Sequence, residues 1–227
     1  MQVLSTPLLF LFEILTCHYA FSQNPDKPKK TYTVNIARRD TTIKADVLSA
    51  QSKIKADAEL TYNWFAYNKI METKGGYDGH LLHGSYTSFY GNNNLRQKGK
   101  FKNGLKEGKW VNWFVNGKIN EITHWKHGMK NGKYMMYDGD GKIMLEAGFK
   151  NDKLNGKMTS YQSGKILSVH QYKNGVEIVS NDGLSVTNAK DKSGKSSLKE
   201  KMQKLFKKNE KRPSDPKDKP KPQVSKS

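Results

Sequence analysis

The sequence predicts an all-β protein built as an elongated array of antiparallel β-hairpin repeats, and two observations predict it. A unit of 24 residues recurs between residues 60 and 178, and each unit contains two turn signals with strand-like alternation between them. Only 35% of the 227 residues are hydrophobic, whereas glycine (19 residues) and aromatic residues (11%) are frequent. This composition is typical of many short strands joined by tight turns, in which large rings provide most of the burial.

The repeat is clearest at one glycine, which returns every 24 residues as Gly84, Gly108, Gly132 and Gly156. An aromatic residue or methionine follows two positions later and an aromatic residue five positions later. A first turn, an aliphatic residue, a further aromatic residue and a second turn complete the unit. The predicted repeat core is Tyr86, Phe89, Leu95, Phe101, Trp110, Trp113, Ile119, Trp125, Tyr134, Tyr137, Ile143, Phe149, Tyr161, Ile166 and Tyr172. The predicted turn glycines are Gly84, Gly104, Gly108, Gly117, Gly128, Gly132, Gly141, Gly156, Gly164 and Gly175.

The chemistry of each unit predicts one hairpin. Asn116-Gly117 and Asp140-Gly141 are typical of two-residue hairpin turns, which require positive φ at both central residues. Between turns, the residues from Ile143 to Phe149 alternate with the period of a strand. The first two aromatic positions of each unit are three residues apart, so in a flat strand they would face opposite ways. We therefore expect a bulge, or rings on both faces of the sheet.

Two copies depart from this pattern. The fourth copy is one residue shorter, so that Ile166 and Tyr172 fall one place early. A worn copy from Leu60 precedes the first, with Tyr62, Phe65, Ile70 and Tyr77 near the expected offsets. A single hairpin is marginal in water, so neighbouring units are expected to share their rings in one continuous core.

The unit G-K-W-V-N-W-F-V-N-G-K-I, followed by W-K-H-G-M-K-N-G-K-Y, resembles the bacterial variant of the MORN repeat. Members of that family are often described as YwqK-type antitoxins of toxin–antitoxin pairs. The resemblance covers about residues 60–178. It implies an elongated array of β-hairpins with a protein- or lipid-contacting role, and it supplies no catalytic residues.

The N-terminus predicts export. Residues Val3 to Ala20 are mostly apolar but too few to span a membrane, and Ala20-Phe21-Ser22 fits the cleavage pattern of a signal peptide over residues 1–22. No Lys or Arg precedes this run and Glu13 interrupts it, so a buried N-terminal helix is the alternative. Cleavage would remove Cys17, the only cysteine; lipidation of Cys17 ranks below plain secretion. The predicted location is periplasmic, cell-envelope or secreted.

The flanks of the repeats have a different composition. Residues 23–59 are predicted to be a linker and N-terminal cap, with an edge strand indicated by the alternation of Tyr32, Val34 and Ile36 and a helix or cap between Ile43 and Leu60. Residues 179–227 are predicted to be a basic low-complexity tail; from Lys190 it carries 14 Lys and Arg against 5 Asp and Glu, a net +9. Within it, residues 196–211 form a short amphipathic helix or remain solvated; the apolar face would hold Leu198, Met202, Leu205 and Phe206.

No catalytic, cofactor-binding or metal-binding residues are predicted. His80 and His83, like His124 and His127, are three residues apart, but in a strand and turn context this spacing does not converge on one metal. The segment from Asp138 to Gly141 is similar to a calcium loop, but Lys142 occupies a ligand position, so a hairpin turn is predicted. The recurrent Gly-Lys pairs lack the rest of a P-loop, and their lysines are interpreted as gatekeepers at solvent-facing strand ends.

These observations predict a non-catalytic, exported scaffold that binds an unidentified protein partner. The net charge of +19 favours anionic partners, so the first alternative is peripheral binding to an anionic membrane through the tail and the lysine-rich turns. A hydrolase of envelope polymers is a second alternative. Nucleic acid is a minor one, because the aromatic residues recur at the phase expected for packing between repeats. No small-molecule substrate is predicted.

Overall fold

The computed structural model describes residues 29–50 and 54–178, and these residues form fourteen antiparallel β-strands and no helix. The signal segment, Cys17, the basic tail and the helix predicted at residues 196–211 lie outside the described residues. The strands are β1 (Thr31–Ala37), β2 (Thr41–Leu48), β3 (Thr61–Ala66), β4 (Lys69–Lys74), β5 (His80–Tyr90), β6 (Leu95–Lys102), β7 (Leu105–Trp113), β8 (Ile119–Lys126), β9 (Met129–Tyr137), β10 (Ile143–Lys150), β11 (Lys153–Leu154), β12 (Gly156–Gln162), β13 (Lys165–Lys173) and β14 (Val176–Ile178).

The sheet follows the repeats. Its order is β1-β2-β5-β6-β7-β8-β9-β10-β12-β13-β14, so each 24-residue unit contributes one hairpin and pairs with the next. The four hairpins are β5–β6, β7–β8, β9–β10 and β12–β13. The predicted all-β array of antiparallel hairpins is therefore confirmed.

The N-terminal part of the sheet differs from the expected arrangement. Residues 31–37 form the edge strand expected from the alternation of Tyr32, Val34 and Ile36, whereas residues 41–48 form β2 rather than a helix. β2 pairs along β5, so it occupies the place expected for the worn first repeat. The β3–β4 hairpin exists, but it meets β5 only at Trp64↔Leu81 and Phe65↔His80. It leaves the line of the sheet, and its Phe65 and Ile70 pack against the core.

The two turns of each repeat are built differently. The second turns have two residues, both with positive φ, as in Asn103-Gly104 (53° and 79°). The first turns of the first three repeats have three residues, and only the last has positive φ. In the second repeat, for example, Gly117 (81°) donates its N–H to the carbonyl of Phe114, in the three-residue loop that ends in a glycine bulge. The prediction that Asn116-Gly117 and Asp140-Gly141 are two-residue turns is therefore wrong. The fourth repeat does use a two-residue turn, Ser163-Gly164, which accounts for its missing residue.

The repeat glycine lies in a strand and not in a turn. Gly84, Gly108 and Gly132 are within β5, β7 and β9, and Gly156 begins β12, so their assignment to turns is wrong. All four have positive φ, between 69° and 113°. Each lies where its strand bulges against the preceding repeat. In β7, for example, Gly108 to Trp110 stand opposite the single residue Gly99. A bulge of this kind needs a backbone conformation that only glycine adopts without strain.

The bulge sets the inner face of the sheet, the face that carries Tyr86, Trp110, Tyr134 and Met158, the residues two positions after each repeat glycine. These four side chains are buried, together with Phe101 and Phe149. Neighbouring rings pack against one another: the centroids of Phe101 and Trp110 are 4.8 Å apart, and those of Tyr134 and Phe149 are 5.7 Å apart. The inner face is thus the core of the repeats.

The outer face carries the aromatic residues five positions after each repeat glycine: Phe89, Trp113, Tyr137 and Tyr161. They are half-buried, and a register shift lies beside each of them, so the expected rings on both faces and the expected bulge are both found. The predicted core residues that follow the first turn are also on this face. Leu95 and Ile143 are half-buried, whereas Ile119 and Ile166 are 37% and 56% exposed and do not belong to the core.

The inner core is not a continuous apolar ladder. One buried cluster contains Trp110 and another contains Phe149. Between them the half-buried Trp125 lies under two lysines: Lys106 Nζ is 4.6 Å from the Trp125 ring centroid and 5.3 Å from that of Trp110, and Lys130 Nζ is 6.0 Å from Trp125 and 5.6 Å from Phe149. The clusters are therefore joined by cation–π contacts, and Lys106 and Lys130 are themselves 24 residues apart.

Substitution of Gly99 tests the inter-repeat bulge. A Cβ at this position would overlap the indole of Trp110, which the bulge lays across Gly99. We expect Gly99→Ala to lower the free energy of unfolding by about 1–3 kcal/mol, measured by urea denaturation. Gly139→Ala is the control, because a Cβ there meets no atom within 4 Å, and it should change stability by less than about 0.5 kcal/mol. Equal stability of the two variants would contradict the packing of Trp110 on Gly99.

Candidate interaction surface

The outer face presents one aromatic and one aliphatic side chain in each repeat. The register pairs Phe89 with Leu95, Trp113 with Ile119, Tyr137 with Ile143 and Tyr161 with Ile166. These four pairs form the outer apolar row, which crosses the strands near the first turns. Successive pairs are two strands apart, or about 9.6 Å, because neighbouring strands are about 4.8 Å apart.

A row of lysines runs beside the outer apolar row. Lys109, Lys133 and Lys157 directly follow three repeat glycines and are all exposed. Each lies four residues before the outer aromatic residue of its strand, an even number that places both on one face. The two rows are about 13 Å apart along the strands. The residues between them, Val111, Met135 and Thr159, are buried or half-buried.

A groove of about 360 Å³ lies between the third and fourth repeats and is lined by residues of both the lysine row and the outer apolar row. Its walls include Lys133, Lys157, Tyr161 and Ile166. Lys133 Nζ lies 3.3 Å from the carboxylate of Glu146, which also accepts a hydrogen bond from the Tyr161 hydroxyl at 3.2 Å. Desolvation, and then the negative charge of Glu146, raise the pKa of Tyr161, so the hydroxyl remains a neutral donor.

The opposite end of each hairpin holds neighbouring repeats together. The residue before each repeat glycine forms a hydrogen bond to the first residue of the next second turn. For example, Glu107 accepts from the N–H of His127 at 2.8 Å, and the Asn131 side-chain amide donates to Asn151 Oδ1 at 3.1 Å. The equivalent pairs are His83 with Asn103 and Asn155 with Asn174. Sequence reasoning missed these contacts, although the 24-residue period applied to His83 would have aligned the positions.

The histidines take part in local hydrogen bonds. His80 Nδ1 is 2.8 Å from the carbonyl of Leu48, and His124 Nδ1 is 2.8 Å from the carbonyl of Lys133. The pKa of His83 is lowered, mainly by burial and further by the charges of nearby lysines; the hydrogen bond between its Nδ1 and Asn103 Oδ1 acts in the opposite direction. In residues 29–50 and 54–178, no three His, Cys, Asp or Glu side chains are grouped as metal ligands.

The loop similar to a calcium site is a hairpin turn. Asp138 Oδ1 accepts hydrogen bonds from the N–H groups of Asp140 (3.0 Å) and Lys142 (2.8 Å). Its carboxylate oxygen is thus directed at the turn's own backbone.

The described part of the chain has no helix of the length and apolarity needed to cross a membrane.

The fold and its outer face define a β-hairpin repeat protein with a periodic, partly apolar surface. Residues 82–103, from the bulged part of β5 to the second turn of the first hairpin, match the family model for the MORN repeat variant. The match spans one repeat unit and supports a MORN-repeat protein. No curated protein matches the chain.

Two tryptophans of one strand distinguish the faces. Trp110 is 2% exposed on the inner face, whereas Trp113 is half-buried on the outer face. We expect Trp110→Ala to cost about 3–5 kcal/mol of unfolding free energy, as for other buried aromatic residues. Trp113→Ala should cost less than half as much, measured by the same urea titration. A larger loss of unfolding free energy for Trp113→Ala than for Trp110→Ala would mean that the outer face, and not the inner face, is the core.

Proposed function

We propose that this protein is a non-catalytic scaffold that binds a protein partner through the outer face. The observation that carries the proposal is the outer apolar row. Every repeat places an aromatic–aliphatic pair on the face opposite the core, and Ile119 and Ile166 leave much of their surface in contact with water. An apolar row of this kind, bordered by charged side chains, is typical of a protein interface.

The geometry of the row favours binding without rearrangement. Its side chains stand on paired strands, and further contacts fix the first turns to one another: Tyr90 donates its hydroxyl hydrogen to the carbonyl of Trp113 at 2.8 Å, and the Asn116 side-chain amide donates to the carbonyl of Gly139 at 3.1 Å. A surface already held in place loses little conformational entropy when a partner docks. Aromatic residues are also the side chains that most often dominate binding free energy.

The finer alternatives differ in partner and compartment. An antitoxin would use the same face to cover a toxin in the cytosol, as the family resemblance suggests. A peripheral membrane protein would use the net +9 of the tail from Lys190 onward. A hydrolase of envelope polymers would need catalytic residues that the repeat pattern does not supply. The protein-binding scaffold is preferred because it accounts for the outer apolar row.

Export is part of the proposal, and the N-terminus of the natural protein tests it. We expect mass spectrometry of the protein from its native cells to find a chain that begins at Gln23, because signal peptidase would cut after Ser22. A lipidated Cys17 at the N-terminus would replace secretion with membrane anchoring. An intact Met1 would count against export and favour the antitoxin alternative.

Photo-crosslinking tests the partner and its position. A benzoylphenylalanine at Tyr137, in the middle of the outer apolar row, should crosslink in native cells to one specific protein. The control position is Tyr67, which is 85% exposed in the β3–β4 turn, away from the row. It accepts the same label and should yield no such product.

Trp113→Ala should reduce the crosslink from Tyr137, because both side chains belong to the outer apolar row. Identical products from Tyr67 and Tyr137, or none from Tyr137, would be inconsistent with a binding site on the outer face.

A further inference from the structure

We infer that the outer face binds an acidic partner segment in the polyproline II conformation, lying across the strands with a carboxylate at every third residue. This inference rests on the proposed function and specifies the partner chemically. It is carried by three features of the outer face: the charge of one row, the spacing of the repeats and the parallel course of the two rows.

Charge comes first. Residues 80–178 contain 16 Lys and Arg against 7 Asp and Glu, a net +9 within the repeats themselves. Lys109, Lys133 and Lys157 bring part of that charge into one exposed row. Glu146 is paired with Lys133, whereas no carboxylate of the described residues forms an ion pair with Lys109 or Lys157. The row is therefore complementary to a partner with regularly placed carboxylates.

The spacing selects the conformation of the partner. Successive lysines are about 9.6 Å apart, because they lie on every second strand. A polyproline II helix advances about 9.3 Å per turn of three residues, so every third side chain would meet the next lysine. An α-helix rises 1.5 Å per residue, and about 9.6 Å is not a whole number of its turns. In a β-strand, side chains three residues apart point to opposite sides.

The lysine row and the outer apolar row would each contact one of the three sides of such a helix. A polyproline II segment above Val111, Met135 and Thr159 has the lysine row on one side and the outer apolar row on the other. Its acidic residues face Lys109, Lys133 and Lys157, and the residues of a second side meet Trp113, Tyr137 and Tyr161. The third side remains in solvent. Aromatic surfaces are a common docking site for this conformation, because its low entropy in the free state reduces the cost of binding.

Two synthetic peptides of identical composition test the inference. The periodic peptide is four repeats of Pro-Ser-Asp, and its isomer has the four aspartates grouped at one end. We expect the full-length chain to bind the periodic peptide at least about tenfold more tightly, measured by fluorescence anisotropy, since only that peptide matches every lysine. Binding should weaken as salt is added.

Matched variants locate the binding site. Lys157→Glu and Trp113→Ala should each weaken binding of the periodic peptide at least about tenfold. Lys69→Glu is the control, because Lys69 is an exposed lysine of β4 outside the lysine row, and it should leave the affinity unchanged. Unchanged melting temperatures of Lys157→Glu and Lys69→Glu exclude unfolding as the cause.

Each of the other outcomes would overturn the inference, the proposed function or both. Equal binding of the two peptides means nonspecific charge attraction and overturns the inference. Failure of both peptides to bind also overturns the inference. If the crosslink from Tyr137 persists in that case, the proposed function still stands. If neither peptide binds and the crosslink is also absent, both the inference and the proposed function are overturned. Preferred binding to vesicles of anionic lipid would assign the face to a membrane. Binding that appears only after deletion of residues 190–227 would assign it to the chain's own tail, where Asp215 and Asp218 are three residues apart.

Discussion

The glycine bulge between successive hairpins is the constraint on which the rest of the structure depends. A regular antiparallel ladder would place three residues of one strand opposite three of the next, whereas here Gly108, Lys109 and Trp110 stand opposite Gly99 alone. The positive φ of the repeat glycine makes this possible without strain. The bulge lays the ring of Trp110 across Gly99 of the preceding strand, and this packing helps to bury Trp110 in the core. It also leaves the following lysine on the outer face.

The contacts that follow from this bulge explain how the repeats cooperate. Phe101 of the first repeat packs on Trp110 of the second, whereas Tyr134 and Phe149 pack within the third repeat. In the middle, Lys106 and Lys130 replace the leucines found at the same position of the outer repeats, Leu82 and Leu154. Their alkyl stems cover apolar surface while their ammonium groups lie over Trp125 and its neighbours. Each hairpin is therefore stabilised mainly by the hairpins on either side, as in other linear repeats.

Periodicity predicted the part of the fold that depends on local chemistry. The all-β class, the hairpin of each unit and the buried positions of Tyr86, Trp110 and Tyr134 follow from spacing and turn residues. The role of the repeat glycine did not follow, because positive φ serves turns and bulges equally well. Ile119 and Ile166 were assigned to the core because an aliphatic residue recurs at their position, but recurrence does not show which face of the sheet a side chain occupies. The displacement of the β3–β4 hairpin did not follow either, because periodicity does not show which segment pairs along β5, and it is β2 that does so.

The outer face shows why the same repeat suits recognition. A core needs one set of rings, and the inner face supplies it; the second set is therefore free to serve contacts that folding does not require. Because each hairpin advances the sheet by a fixed distance of about 9.6 Å, equivalent side chains on the outer face recur at that spacing. A substitution in one repeat changes one of these side chains and leaves the spacing intact. Under the proposed function, specificity would change repeat by repeat while the bulge and the inner rings preserve the fold, so that stability and recognition would depend on opposite faces of one sheet.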